Sequence, residues 1–266
     1  MDAYLFVHFK EKNTLDGEQV YFALSKDGFH WEEVNGGKPV LQCSLGEMGV
    51  RDHTIVRTVS GKFYIIATDL SLANNFHTKY RGDWKNVGTE GSKCLSLWES
   101  EDLVNWSEQR LIKLGDEQFG CLWAPDIIFD SLQDEYVLHW SSSHVSNSYG
   151  SKAIFYSRTR DFVSFTAPEL LYRKEDSGII DSAIYEEDGF YYRFLKSEAN
   201  PATIILEKSR SLIGDDYVRV AEFDKEMSKL RQGVYEAPTA FRLRNGQWCL
   251  MLDYYGVAGD GQGYVP

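Results

Sequence analysis

One element returns along this chain at intervals of a few tens of residues, which is the sequence signature of propellers and solenoids. It reads Ser25-Lys-Asp-Gly-Phe-His-Trp31, then Ser100-Glu-Asp-Leu-Val-Asn-Trp106, and in weaker form Arg160-Asp-Phe-Val-Ser-Phe165. In each copy an Asp stands four residues before an aromatic. A second element accompanies it: a short apolar strand, a turn, then an aromatic-rich strand. Its copies are Asp52–Arg57 with Lys62–Ala67, Asp126–Asp130 with Glu135–Trp140, Asp181–Tyr185 with Gly189–Phe194, and Glu236–Phe241 with Gln247–Leu252. Ser60-Gly61, Asp188-Gly189 and Asn245-Gly246 sit between the paired strands, as hairpins require.

Each repeat is too short to bury a hydrophobic face alone, so stacked four-stranded units are expected, and the fold class is all-β, a five-bladed β-propeller over residues 1–266 as a single domain. The composition agrees: 14% of residues are aromatic, and such side chains suit half-buried strand faces. Residues 1–34 supply outer strands of a blade, Tyr4–Phe9 and Val20–Leu24, without an inner one. The last repeat stops after an inner pair and the start of a third strand. A C-terminal closing strand is therefore expected to be missing. A polar and aromatic insertion, Ala73–Ser92, lengthens the first interval and is expected to cover one face, where His77, Tyr80 and Trp84 are candidates to touch a ligand.

Four acidic residues, Asp52, Asp126, Asp181 and Glu236, start the inner strands and are read as occupying the same place in successive units. In a propeller the first strand of each blade lines the axis, so carboxylates remote in sequence converge there. The competing reading of any single acid is a turn or cap residue in a non-catalytic repeat.

The net charge of −12, spread along the chain, argues against nucleic acid and other polyanions. No stretch reaches the roughly 18 apolar residues of a membrane span. The start of the chain reads as a strand, without the pattern of a signal peptide. Cys43, Cys94, Cys121 and Cys249 lack Cys-x-x-Cys spacing and read as reduced thiols of a cytoplasmic protein. The histidines show no metal-ligand spacing, so no catalytic metal is expected.

With these motifs on the page, the chain resembles glycoside hydrolase family 43, the arabinanase, α-L-arabinofuranosidase and β-xylosidase family, over essentially its whole length. Val50-Arg-Asp-His-Thr-Ile55 looks like the motif of the general base, with His53 where the family usually has Pro. Trp123-Ala-Pro-Asp-Ile127 looks like the second-blade motif. Ile180-Asp-Ser-Ala-Ile184 resembles the motif of the acid that tunes the proton donor, again with Ser182 in place of Pro. Tyr235-Glu-Ala-Pro238 resembles the motif of the general acid. The resemblance implies an inverting glycoside hydrolase in which Asp52 is the base, Glu236 the acid and Asp181 the modulator that raises the pKa of the acid and orients it. It implies no cofactor for catalysis and leaves room for a structural calcium ion in the central channel. Arg51, Trp123 and Asp126 are candidate substrate-binding residues: Trp123 offers a flat face to a sugar, or packs in the core; Arg51 binds a hydroxyl or holds Asp52; Asp126 binds substrate or is structural.

The implied substrate is an arabinose- or xylose-containing glycan, with α-L-arabinofuranosyl linkages first and β-xylosides as the alternative. A carbohydrate-binding propeller without catalysis and a protein-interaction propeller are the readings from other classes. The first is opposed by the presence of all three acids, the second by the lack of Gly-His and Trp-Asp repeat signatures.

Overall fold

The computed structural model describes residues 3–10, 13–231, 233–255 and 263–266. They form five antiparallel sheets in chain order. The first holds β1 (Tyr4–His8), β2 (Tyr21–Ser25) and β3 (Trp31–Glu33); the second β4 (Val50–Arg57), β5 (Phe63–Asp69), β6 (Cys94–Ser100) and β7 (Arg110–Lys113). The third holds β8 (Trp123–Asp130), β9 (Glu135–Ser142), β10 (Ala153–Thr159) and β11 (Glu169–Tyr172). The fourth holds β12 (Ile179–Glu187), β13 (Phe190–Ser197), β14 (Thr203–Ser209) and β15 (Val218–Arg219), and the fifth β16 (Val234–Arg242), β17 (Trp248–Tyr255) and β18 (Gly263–Val265). Three short helices interrupt them: α1 (Leu72–Asn75), α2 (Trp84–Thr89) and α3 (Ala221–Met227).

The chain divides into two compact units, residues 1–125 with 143–149, and residues 126–142 with 150–266. Within the first, Val7, Val20 and Phe22 of the first sheet share a buried cluster with Val50, Ile65, Ala67 and Trp98 of the second. Within the second, Val137, Ile154 and Tyr156 pack with Ile184, Leu195 and Ile205, and Ile204 packs with Tyr235, Leu252 and Tyr254. Middle strands are thus covered on both faces. All but the first residue of β5 and of β9 is buried, and the period-2 alternation of a half-exposed strand disappears. Burying a large aromatic such as Trp98 contributes about 4–6 kcal/mol. That is several times the net worth of one hydrogen bond, so packing rather than polar contacts holds neighbouring sheets together.

The first repeated element is a side-chain-capped turn after the third strand of a unit. Asp27 Oδ1 accepts from the backbone N–H of Phe29 and His30 at 2.8 and 2.9 Å, Asp102 Oδ1 from Val104 and Asn105 at 2.9 and 2.7 Å, and Asp161 Oδ1 from Val163 and Ser164 at 2.9 and 2.8 Å. Ser25, Ser100 and Thr159 hydroxyls accept from the residue after each Asp. The Asp offers the backbone what the next strand would otherwise supply, which is why it recurs. By this marker β2 corresponds to β6 and β10, so among the described residues the first sheet holds the second to fourth strands of a unit without an inner one.

The insertion folds onto two buried carboxylates. Glu18 caps α1 by accepting from Leu72 N at 3.0 Å, Ala73 N at 3.1 Å and Ser71 Oγ at 2.8 Å. Glu47 accepts from Lys79 Nζ at 2.8 Å, from Asn75 Nδ2 at 3.1 Å and from the Tyr80 hydroxyl. Tyr80 is fully buried in a cluster with Leu70, Leu72 and Val87. Its candidacy as a ligand contact is therefore withdrawn: the aromatic faces the core, and its hydroxyl is spent on Glu47. Trp84 is exposed, with Phe76 against it at 5.6 Å. All four cysteines are free thiols. No described helix is long and apolar enough to cross a membrane.

Candidate active site

Three inner strands break their pairing at the expected site. In β4 the register slips between Arg51 and Thr54, in β12 between Ile180 and Ala183, and in β16 between Glu236 and Thr239, two residues each time facing one on the partner strand. The first bulged residue takes a left-handed backbone: Asp52 has φ 52°, Asp181 φ 52° and Ala237 φ 49°. Ala124 in β8 has the same conformation, φ 46°. Asp tolerates this region better than most residues, whereas Ala does not favour it. Strain of this kind costs about 1–3 kcal/mol and clusters at functional sites, where a bulge re-aims side chains.

The bulges correct the register inferred from the sequence. Asp52 and Asp181 share one position, which Ala124 and Ala237 fill in the other two sheets. Glu236 stands one residue earlier, level with Arg51, Trp123 and Ile180, and Asp126 two residues later, level with Thr54. The four acids start the same strands but do not occupy the same place. The residues that mark true equivalence are the bulged pairs Ala124-Pro125 and Ala237-Pro238, against Asp52-His53 and Asp181-Ser182.

In the first unit the Asp52 carboxylate accepts from the Thr68 hydroxyl of β5 at 2.9 Å, and that hydroxyl accepts from Ala124 N at 2.8 Å. Arg51 donates to the fully buried Glu18 at 3.2 Å and lies over the Phe9 ring at 4.6 Å. Its charge thus balances the carboxylate that caps α1. His53 follows Asp52 with both ring nitrogens enclosed and without protein partners, 6.0 Å from the Phe9 ring. Burial first, then the charges of His8 and Arg51, lower its pKa to about 3. Trp123 packs against the Leu70, Leu72 and Tyr80 cluster.

In the second unit Ser141 of β9 plays the part of Thr68: its hydroxyl accepts from Asp181 N at 3.0 Å. The Asp181 carboxylate accepts from Ala237 N at 3.2 Å, which ties β12 to the bulge beside Glu236. Ser182, where Pro was expected, bonds Nδ1 of the buried His139 at 2.6 Å. The His139 pKa is lowered to about 3 by burial and then by Arg193. Asp126 lies within electrostatic reach of the half-buried Tyr185, whose hydroxyl accepts from Ala240 N at 2.8 Å.

The sequence reading missed one group. Lys196 of β13 is buried, and its ammonium donates to Glu236 Oε2 and, at 2.9 Å, to the Tyr255 hydroxyl. Burial disfavours its charge, but Glu236 and Asp181 outweigh that, and its pKa is raised. It stands opposite Ile180, just as Thr68 stands opposite Arg51. The one available signal was weak: a lysine in a middle strand is almost never fully buried unless paired, but β13 also carries the buried Arg193, and the partner of Lys196 is remote in sequence.

Among the described residues no group of three or more His, Cys, Asp or Glu side chains is placed to hold a metal ion, so the calcium expectation finds no ligand set there. A cleft of about 520 Å³ opens elsewhere in the first unit, between Glu90, Lys93, Glu117, Phe119 and Tyr149. None of the three catalytic candidates lines it.

The family profile described as a probable glycosyl hydrolase domain, related to glycoside hydrolase family 43, matches residues 1–266. The chain belongs to this family. It is 30% identical over 234 residues to an α-L-arabinofuranosidase of Bifidobacterium longum subsp. longum, covering 76% of this chain and 21% of that protein. The chain therefore spans about a fifth of that relative's length. Among solved structures it is similar to an exo-1,5-α-L-arabinanase from a bovine ruminal metagenomic library, at TM-score 0.68 and 16% identity, covering 99% of this chain and 88% of that one. An endo-1,4-β-xylanase from Bacteroides thetaiotaomicron gives TM-score 0.66 and 12% identity, covering 96% of this chain and 85% of that one. At such identities the likeness speaks to fold alone. The fold is the five-bladed β-propeller, with the five sheets as its blades.

Proposed function

We propose that this family-43 relative is an inverting glycoside hydrolase that cleaves α-L-arabinofuranosyl linkages in plant-type oligosaccharides or polysaccharides. The observation that carries the reading is the recurrence of one bulge in separate blades. It presents Asp52 and Asp181 at the same left-handed position and Glu236 immediately before another, each carboxylate fixed by a donor. Repeat proteins that serve only as scaffolds have no need of strained acids at that point. The arabinofuranosyl preference is supported by the Bifidobacterium relative.

In this mechanism Asp52 takes a proton from water as the oxygen attacks the anomeric carbon. Glu236 gives a proton to the glycosidic oxygen, which leaves with the bonding electron pair. Asp181 acts through the Ala237 amide and through its charge, fixing and tuning the acid. Thr68 holds the Asp52 carboxylate toward its task. Release of p-nitrophenol from α-L-arabinofuranoside and β-D-xyloside by this chain, with Glu236→Ala alongside, tests the assignment. Turnover of the arabinofuranoside by a sample whose purity is checked, together with loss of arabino-oligosaccharide cleavage in the variant, is expected. A folded chain that turns over neither substrate contradicts it, and preferential turnover of the xyloside reassigns the sugar.

A further inference from the structure

Glu236, the proposed proton donor, does not face its neighbours as a lone carboxyl group. Polar groups from three strands gather near it: Lys196 on β13, Asp253 and Tyr255 on β17, and Asp181 on β12, whose carboxylate accepts from the adjoining Ala237 N–H. Asp253 is its partner across the sheet, and the Lys196 ammonium touches it directly. Only 8% of the Lys196 side chain is exposed, so this contact is poorly screened by water. In the second blade the matching residue is Thr68, a neutral hydroxyl that serves the base. The fourth blade has replaced a hydroxyl with a fixed cation next to the acid.

We propose that Lys196 is a positioning residue for the proton donor: with Tyr255 it holds the Glu236 carboxyl group in place, and its ammonium stabilises the carboxylate that forms as the proton leaves for the glycosidic oxygen. Lys196 transfers no proton and remains an ammonium throughout. The Glu236 O–H bond breaks, the new O–H bond forms on the leaving sugar, and the C–O electron pair departs with that oxygen. A fixed cation aimed at charge that develops during reaction acts without reorganisation. Its cost is a narrower pH range, because the same cation favours the deprotonated acid before reaction as well.

This inference rests on Glu236 being the acid, and two measurements keep the claims apart. The first needs no substrate: the carboxyl-carbon resonance of Glu236, assigned with Glu236→Gln in glutamate-labelled chain, is followed against pH. In Lys196→Gln, which keeps a hydrogen-bond donor and removes the charge that touches Glu236, the titration is expected to move to higher pH than in the parent. In Lys196→Arg, which keeps the charge, it is expected to stay near that of the parent. No movement in Lys196→Gln, or equal movement in both variants, overturns the proposal. Should Lys196→Gln fail to fold, Lys196→Met and Lys196→Arg carry the same pair of expectations.

The second measurement is rate. Lys196→Gln is expected to lose about 10- to 100-fold on an arabino-oligosaccharide, whose leaving group needs a proton, and less than threefold on the p-nitrophenyl glycoside, whose leaving group does not. Equal losses on both overturn the positioning role. Glu236→Gln at parental rates on the oligosaccharide would instead refute the functional reading, while the titration result stands.

Discussion

Asp52 and Glu236 lie beside the same kind of bulge in two different blades, yet they are held by different chemistry. Asp52 accepts from a neutral hydroxyl, Thr68, of its own sheet, and Arg51 beside it donates to Glu18. Glu236 accepts from a cation, Lys196, which also donates to the Tyr255 hydroxyl. The difference suits the opposite tasks proposed for them. A base must keep its lone pair available, and a hydroxyl orients a carboxylate without competing strongly for its charge. An acid must tolerate becoming an anion, and a fixed cation serves that moment. Bulges set where the carboxylates stand; Thr68 from the second strand of Asp52's own sheet, and Lys196 from the second strand of the sheet preceding Glu236's, give them different surroundings.

The largest expected effect separates the two directly. Asp52→Asn is expected to lower kcat by about 10⁴-fold on aryl glycoside and oligosaccharide alike, because water must be activated whatever the leaving group. Glu236→Gln is expected to lose about 10²- to 10⁴-fold on the oligosaccharide and far less on the aryl glycoside. Equal dependence on leaving group in both variants breaks the comparison.

Arg51→Met sharpens the first half of it. Removing the cation leaves the Glu18 charge buried without its counter-charge at the cap of α1, and chemical denaturation is expected to show a loss of about 3 kcal/mol. An unchanged stability with a raised KM instead identifies Arg51 as a sugar ligand. Thr68→Val, which keeps volume and removes the hydroxyl between Asp52 and Ala124, is expected to cost about 1–3 kcal/mol and to lower kcat with KM little changed.

The smallest effect concerns pH. His139 stays neutral in the folded chain until about pH 3, whereas the unfolded chain takes up the proton near 6.5. The unfolded state therefore binds more protons as pH falls through 6.5, and the stability from keeping this ring neutral is lost between there and about pH 3. The loss amounts to about 1 kcal/mol by pH 5.5. Denaturation at pH 7 and pH 5.5 is expected to show a shallower pH dependence in His139→Gln; an identical dependence contradicts it.

Much of this was legible in the sequence, for identifiable reasons. The Asp-to-aromatic spacing at 27, 102 and 161 encodes a backbone-capping turn, and a local hydrogen-bond pattern is written in local residues. The acids were legible because polar side chains at the starts of apolar strands stand out. Their register was not, because a bulge inserts one residue without leaving a gap; aligning on the Ala-Pro pairs at 124 and 237 gives it, and aligning on acids does not. Tyr80 and Trp84 look alike in a polar insertion, and only the path of Glu47 and Glu18 into the core decides that one is buried and the other exposed. Lys196 was hidden because its partner lies 40 positions away.

The measurement that tests the central claim most directly is proton NMR of the first product formed from an α-L-arabinofuranosyl oligosaccharide, read before mutarotation. Asp52 activating water on one face while Glu236 protonates the oxygen on the other predicts β-arabinofuranose as the initial anomer, absent with Asp52→Asn. Initial formation of the α anomer, or undiminished hydrolysis by Asp52→Asn, contradicts the assignment of these two carboxylates.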